Sequence, residues 1–493
     1  MKFFFLMLAL FGGLSVQAQT PPVKEWTFLV YLNADNNLYQ YGLRNMDQMQ
    51  KVGSTADMNM VVEFDPSPRG LPTQRLYIEK DQKPTVLQTF PETNMGDWKH
   101  FAEFVTWGIQ NYPARHYAVI VWNHGDGWQG VSYDDNPYAH MTIPDLAQGL
   151  RQARMNLAPI LARRGVANGP LIDILNFDAC LMSSLEVAYE LKDLAGIMIG
   201  SQYTEPGNGE DYTAILAHLV KEPHLNPHDL AAHMVYEYVL QYPADAEINY
   251  LALDMSKVGA FTQMFRNVAA QHLQIPSPLQ NQLRNFYANK VEGSDLIGGM
   301  TAARKIVTGS PAFTQSIDQL VGMYGYPAER TTNMTKTSSE LRETSLKISR
   351  PYAAAVNFRA SPNAAWQRQV LAPQADGTFA VSLPKGAASQ YVVQRLIPGT
   401  DAAVSQEALS TFLRLGENPI IFHNQFPATS PVIAEAHTAR TTGAMGMSLY
   451  LGSLNIARVT NHSQVIPQIL SQYMQLQFAK TGAPEWTQFM NVR

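Results

Sequence analysis

Short apolar runs alternate with stretches of helical period through the first half of this 493-residue chain. Residues 26–32, 58–64, 117–122, 171–175 and 196–200 are mostly apolar runs of strand length. Polar or turn residues close them, as in Asn33-Ala34-Asp35-Asn36-Asn37 after the first and Asp65-Pro66 after the second. Residues 75–79 read as a further strand, pairing at an edge. Between these runs, residues 38–50, 98–110, 143–157 and 183–191 carry apolar positions at helical spacing. Asp97 is placed to cap the helix at 98–110, and Pro113 to end it. The alternation predicts an α/β fold: a mostly parallel sheet with helices on both faces. Ligands of such sheets sit beyond the carboxyl ends of the strands. The loops after Trp122, Phe177 and Gly200 all lie at that edge.

The pattern changes after residues 251–255. Helical periods occupy 256–273, 279–291 and 313–324, followed by short strand-like runs at 352–358, 379–383, 391–396 and 420–422. A last strand is expected at 446–451 and a helix at 465–478. The organisation predicted is a leader at 1–18, an α/β domain at 19–256 and a helical region at 257–345. A β-rich insertion or accessory region at 346–435 follows, and a strand and helix at 436–493 pack back on the core.

The leader changes the picture of compartment. Lys2 precedes an apolar run over residues 3–14, and Val16-Gln17-Ala18 offers a small-residue cleavage site. About a dozen apolar residues fall short of the roughly 20 needed to span a bilayer. The expectation is a soluble, exported protein, periplasmic or secreted, with no membrane span. A hydrophobic content of 46% suffices for a core, and a net charge of −5 supplies no basic field for nucleic acid or anionic membranes.

Cys180 is the single cysteine, so no disulfide framework is available. It stands where an apolar strand gives way to a helical stretch, and unpaired N–H groups at a helix start favour a thiolate. Upstream, the apolar run 117–122 ends in Asn123-His124-Gly125-Asp126-Gly127-Trp128. A thiol and an imidazole at the carboxyl ends of two strands suit a cysteine nucleophile with a histidine base. The bland alternatives are an inert buried thiol and a histidine that caps a turn.

The block around His124-Gly125-Asp126-Gly127-Trp128 and the block Phe177-Asp178-Ala179-Cys180-Leu181-Met182 resemble the two signature blocks of the clostripain-like cysteine peptidases. That family is related to caspases and gingipains. Residues 26–38, Glu186-Val187-Ala188-Tyr189 and 446–451 resemble its opening strand, post-cysteine helix and late strand. The similarity covers most of 24–256 and does not clearly cover 330–435.

The resemblance implies a caspase-like α/β/α sandwich with 19–256 as catalytic domain. It implies Cys180 as nucleophile and His124 as its acid–base partner. The N–H groups of Gly125 and Cys180 would form an oxyanion hole. Asp178 would line the pocket for a basic side chain before the cut, although an aspartate there could equally cap a helix. Asn208 and Asp211 are taken as further substrate-binding residues. Gly209-Glu210-Asp211-Tyr212 departs from the family pattern, in which an aromatic residue follows the second glycine.

The function expected is therefore an exported cysteine endopeptidase acting on proteins or peptides after Arg or Lys. A catalytically silent binding protein and an acyl-transferring ligase are the alternatives. No cofactor is required for the chemistry. Calcium serves some members of the family, but Asp134 and Asp135 are read as solvated rather than as its ligands. Self-cleavage is expected between the histidine and cysteine strands, at Arg163-Arg164-Gly165, with Arg151 and Arg154 protected on a helix.

Overall fold

The apolar runs become strands whose successive residues enter two different cores. In β1 (Lys24–Ala34), Leu29 and Tyr31 join one apolar cluster while Phe28, Val30 and Leu32 join the other. Burial on both faces is what a sheet between two helical layers requires. The computed structural model describes residues 22–67, 71–163, 165, 169–242, 248–288, 295–325, 427–438, 447, 449 and 470–490, with the backbone of seven strands between 345 and 423. The leader lies outside the described residues.

The other strands of this half are β2 (Met58–Pro66), β3 (Gln74–Tyr77), β4 (Thr85–Thr89), β5 (Ala114–Trp122), β6 (Val131–Asp135), β7 (Tyr138–Met141), β8 (Ile172–Asp178), β9 (Ala195–Gly200) and β10 (Asn249–Asp254). From one edge the main sheet runs β4-β3-β2-β1-β5-β8-β9-β10, continued by strands Val432–Thr438 and Ile420–His423. β2, β1, β5, β8 and β9 are mutually parallel, and the strands on both flanks are antiparallel. The parallel centre and its two helical layers form the expected α/β/α sandwich.

The edge strand expected at 75–79 is internal instead. β4, too polar to stand out in the sequence, covers it, and Arg75 is fully buried in a bidentate pair with Glu63 at 2.7 and 3.0 Å. The polar stretch after the histidine strand is the β6–β7 hairpin rather than an open loop.

Helices α1 (Tyr39–Val52), α2 (Trp98–Asn111), α3 (Ile143–Asn156), α4 (Ala158–Arg163), α5 (Leu185–Leu191), α6 (Tyr212–Lys221), α7 (Pro227–Leu240) and α8 (Met255–Gln274) complete the layers. Phe101 of α2, Leu146 of α3, Val187 of α5 and Phe261 of α8 pack on one face. Met49 of α1, Ile215 of α6 and Met234 of α7 pack on the other. Asp97 caps α2 as expected, accepting the Lys99 N–H at 2.9 Å. The sequence pattern passed over α6 and α7. The buried positions of α7 run round much of its circumference, which leaves little polar face to mark the period.

Helices α9 (Ser277–Ala288), α10 (Leu296–Ile306), α11 (Pro311–Tyr324) and α12 (Pro484–Met490) enlarge the first face. Trp486 of α12 stands edge-on to Phe265 and His272 of α8, ring centroids 5.3 and 5.6 Å apart. Of the strand expected at 446–451, only Met447 and Leu449 are described, both buried. Residues 465–469 of the expected last helix lie outside the described residues. A π-helical turn, Phe478–Gly482, leads into α12.

Candidate active site

β5 and β8 are parallel neighbours paired Val121 to Phe177 and Trp122 to Asp178. The chain leaving each strand therefore delivers Asn123-His124-Gly125 beside Ala179-Cys180. The Asn123 N–H donates to Asp178 O at 3.3 Å. A Cβ on Gly125 would stand 2.4 Å from Cys180 O, so only glycine permits this approach. In the space so gained, the Gly125 N–H acts on the Cys180 sulphur, as does the Cys180 N–H. Both expected oxyanion donors thus converge on the thiol.

Cys180 is half-buried and does not open a helix. α5 begins at Leu185 and is capped by Ser184, whose Oγ accepts the Val187 N–H at 3.2 Å. An irregular segment intervenes, turned at Leu181 with φ +67°, and the Leu181 N–H donates to Tyr203 O at 3.0 Å. The Cys180 Sγ accepts the Glu205 N–H at 3.1 Å. Burial nevertheless holds the thiol above its ordinary range, opposed by these N–H groups and reinforced by the Asp178 charge. The expected helix-start thiolate is therefore corrected to a protonated resting thiol. Iodoacetamide alkylation of Cys180, followed by mass spectrometry, should be slow at neutral pH and rise continuously through the alkaline range. A rate that plateaus below pH 7 would contradict this protonation state.

His124 is half-buried, and burial lowers its basicity against the opposing charge of Asp135. Its Nε2 lies 2.7 Å from Asn37 Oδ1. With that oxygen as acceptor, Nε2 carries the proton and Nδ1 keeps the lone pair. Asn37 follows β1, which neighbours β5 on the side away from β8. The sequence marked Asn37 only as a turn residue, because a partner across strands leaves no trace in local spacing.

Asp178 is 4% exposed and caps no helix. Its Oδ2 accepts the Tyr212 hydroxyl at 2.8 Å and the Glu210 N–H at 3.3 Å. A Cβ on Gly209, at φ +59°, would stand 2.5 Å from Asp178 Oδ1. Burial pushes the Asp178 carboxyl up to about 6, against the opposing hydrogen bonds of Tyr212 and Glu210 and the adjacent Glu205 carboxyl. Two more carboxyls share this interior. Burial, then the Asp178 charge, raises both Glu205 and Glu210 well above the usual carboxylate range. Glu210 is held by Tyr250 Oη at 3.1 Å and Asn176 Nδ2 at 3.0 Å. No basic side chain is among the groups that act on these three acids.

The other candidates divide. Glu210, not Asp211, adds its carboxyl to the interior. Asp211 caps α6, its Oδ1 accepting the Ala214 N–H at 3.2 Å. Asn208 is half-buried in the same loop, its carbonyl accepting from Asn45 Nδ2 at 3.2 Å. Asp134 is 1% exposed and so is not solvated as expected, whereas Asp135 is exposed.

Fold and site together define an α/β/α protein with a cysteine–histidine centre at the carboxyl edge of a parallel sheet. The model of the clostripain family matches residues 30–323, and the chain belongs to that family. Clostripain of Hathewaya histolytica is 27% identical over 221 residues, 37% of this chain, and the chain spans 36% of that relative's length. Among solved structures, a secreted cysteine protease of Bacteroides thetaiotaomicron with an irreversible peptide inhibitor is 19% identical, at a TM-score of 0.47 over 77% of this chain and 94% of that one. An inactive zymogen protease of Parabacteroides distasonis is 16% identical, at a TM-score of 0.42 over 74% and 93%.

Proposed function

We propose that the chain is an exported cysteine endopeptidase that cleaves after Arg or Lys. The observation that carries this reading is the convergence of the Gly125 N–H and Cys180 on adjoining strand ends, above three buried carboxyls. The Cys180 sulphur attacks the scissile carbonyl as His124 Nδ1 takes the thiol proton. The resulting oxyanion is held by the Gly125 and Cys180 N–H groups. Collapse of the intermediate breaks the C–N bond, and His124 returns the proton to the departing amine. Water, deprotonated by the same imidazole, then hydrolyses the thioester and restores the thiol. These steps need no cofactor.

Asp178 pairs with the basic side chain before the cut, since a buried guanidinium or ammonium needs a charge partner. Self-cleavage belongs to the same reading. Arg163 is exposed at the end of α4, whereas Arg151 and Arg154 lie within α3. Arg164 and residues 166–168 lie outside the described residues.

The test uses fluorogenic peptides ending in Arg, Lys or a neutral residue, with and without an added amine. Intact mass of the enzyme is read in parallel. Release after Arg and Lys alone, unchanged in rate and product by the amine, is expected, with a nick after Arg163 or Arg164 in wild type. No release from any peptide would favour a binding protein, and amide products a ligase. A fully active, unnicked chain would remove self-cleavage.

A further inference from the structure

Four carboxylates meet beside the site, at the same edge of the sheet. Asp35 follows β1, Asp65 ends β2, Glu92 precedes α2 and Asp134 lies in β6. Each offers an oxygen, and these oxygens lie within 4.8 Å of one another. Such a cluster alone is no site. Asp65, however, is fully buried; its Oδ1 takes the Thr73 hydroxyl at 2.7 Å, while its Oδ2 is sealed from solvent with no hydrogen-bond partner. The charged groups acting on Asp65 are Asp134, Asp35 and Glu92, all acids. A buried carboxylate oxygen facing three other acids and no donor is completed by a cation.

The donor set selects the ion. Four hard oxygens exclude soft metals. Calcium–oxygen bonds of about 2.3–2.6 Å place opposed ligands about 4.6–5.2 Å apart, whereas magnesium requires about 4.0–4.2 Å. The observed spread fits the larger ion. We infer that Asp35, Asp65, Glu92 and Asp134 form a calcium site that ties the β1 and β2 loops to the β6–β7 hairpin.

The bonds around the site give it a purpose. The Asp135 N–H donates to Asp35 O at 2.9 Å, and Asn36 Nδ2 donates to Tyr133 O at 2.8 Å. Asn37, which holds His124, is the next residue. The ion thus steadies the loop that orients the imidazole, a role that rests on the proposed peptidase reading. Binding itself does not.

The test therefore reads binding and not hydrolysis. The full chain, as Cys180→Ala to prevent self-digestion, is stripped with chelator and titrated with calcium or magnesium chloride. Calorimetry is expected to show one calcium per chain. Tm should rise by roughly 5 °C at saturation, and magnesium should give less than half of that. Asp65→Asn should abolish the calcium response; if it does not fold, Glu92→Gln, at a half-buried position, should weaken it at least tenfold. A Tm indifferent to calcium up to about 10 mM, above the range of extracellular calcium modules, would overturn the site. So would a variant that keeps the full response.

Discussion

Cys180→Ala is expected to reduce peptide hydrolysis below about a ten-thousandth of the wild-type rate. Its Tm should stay within a few degrees of wild type. Cys180 is the only thiol in the chain, so no neighbour can take over the attack. The side chain is half-buried and lies in an irregular segment rather than the core, so its loss leaves little cavity. One weak bond from the Glu205 N–H disappears with it. Turnover comparable to wild type would end the mechanism. A variant that fails to fold would show the thiol to be structural.

Asp178→Asn is expected to lower kcat/KM for Arg and Lys substrates by roughly 30- to 5,000-fold, the equivalent of about 2–5 kcal/mol for one partner of a buried charge pair. Cleavage after neutral residues should change little. The pH dependence separates this role from a structural one. The Asp178 carboxyl is pushed up to about 6 by burial, so it is neutral below that pH and charged above it. Basic substrates should therefore lose affinity in the wild type as pH falls through about 6, and asparagine should abolish this dependence.

The sign for stability runs the other way. A carboxyl whose folded pKa is raised contributes most below its unfolded pKa and loses that contribution as pH rises through about 6. At pH 8 the asparagine variant should therefore melt no earlier on account of charge. Equal losses for basic and neutral substrates, with a lower Tm, would make Asp178 a structural residue.

The chain's local chemistry was more legible than its long-range contacts. The β5 and β8 strands are short apolar runs, and their polar exits placed His124 and Cys180 at one edge before any coordinates. Asp178 stood out because it is two residues from the thiol. Asn37 did not, since its bond to His124 depends on β1 lying beside β5. Glu205 was hidden for a related reason: the chain folds back after β9 to bring its N–H to the sulphur. Asp134 looked solvated beside Asp135 because two adjacent acids in a polar stretch give no sign of burial. In β6 successive side chains point to opposite faces, so one is buried and the other exposed. β4 and α7 were missed for opposite reasons, one too polar for a strand and the other too apolar for an amphipathic helix.

The pairing of β10 with Val432–Thr438 bears on how the chain is made. β10 is buried along nearly its whole length, yet its neighbour on one side arrives only after some of the longest-range chain in the molecule has been completed. Until then, an apolar strand presents unpaired N–H and C=O groups, the template on which chains join edge to edge. Such non-local closure is slow. A chain emerging from its N-terminus can assemble the catalytic strands early and still remain adhesive until its last quarter docks. Solubility during biogenesis is thus governed by the far end of the polypeptide, well away from the chemistry it completes.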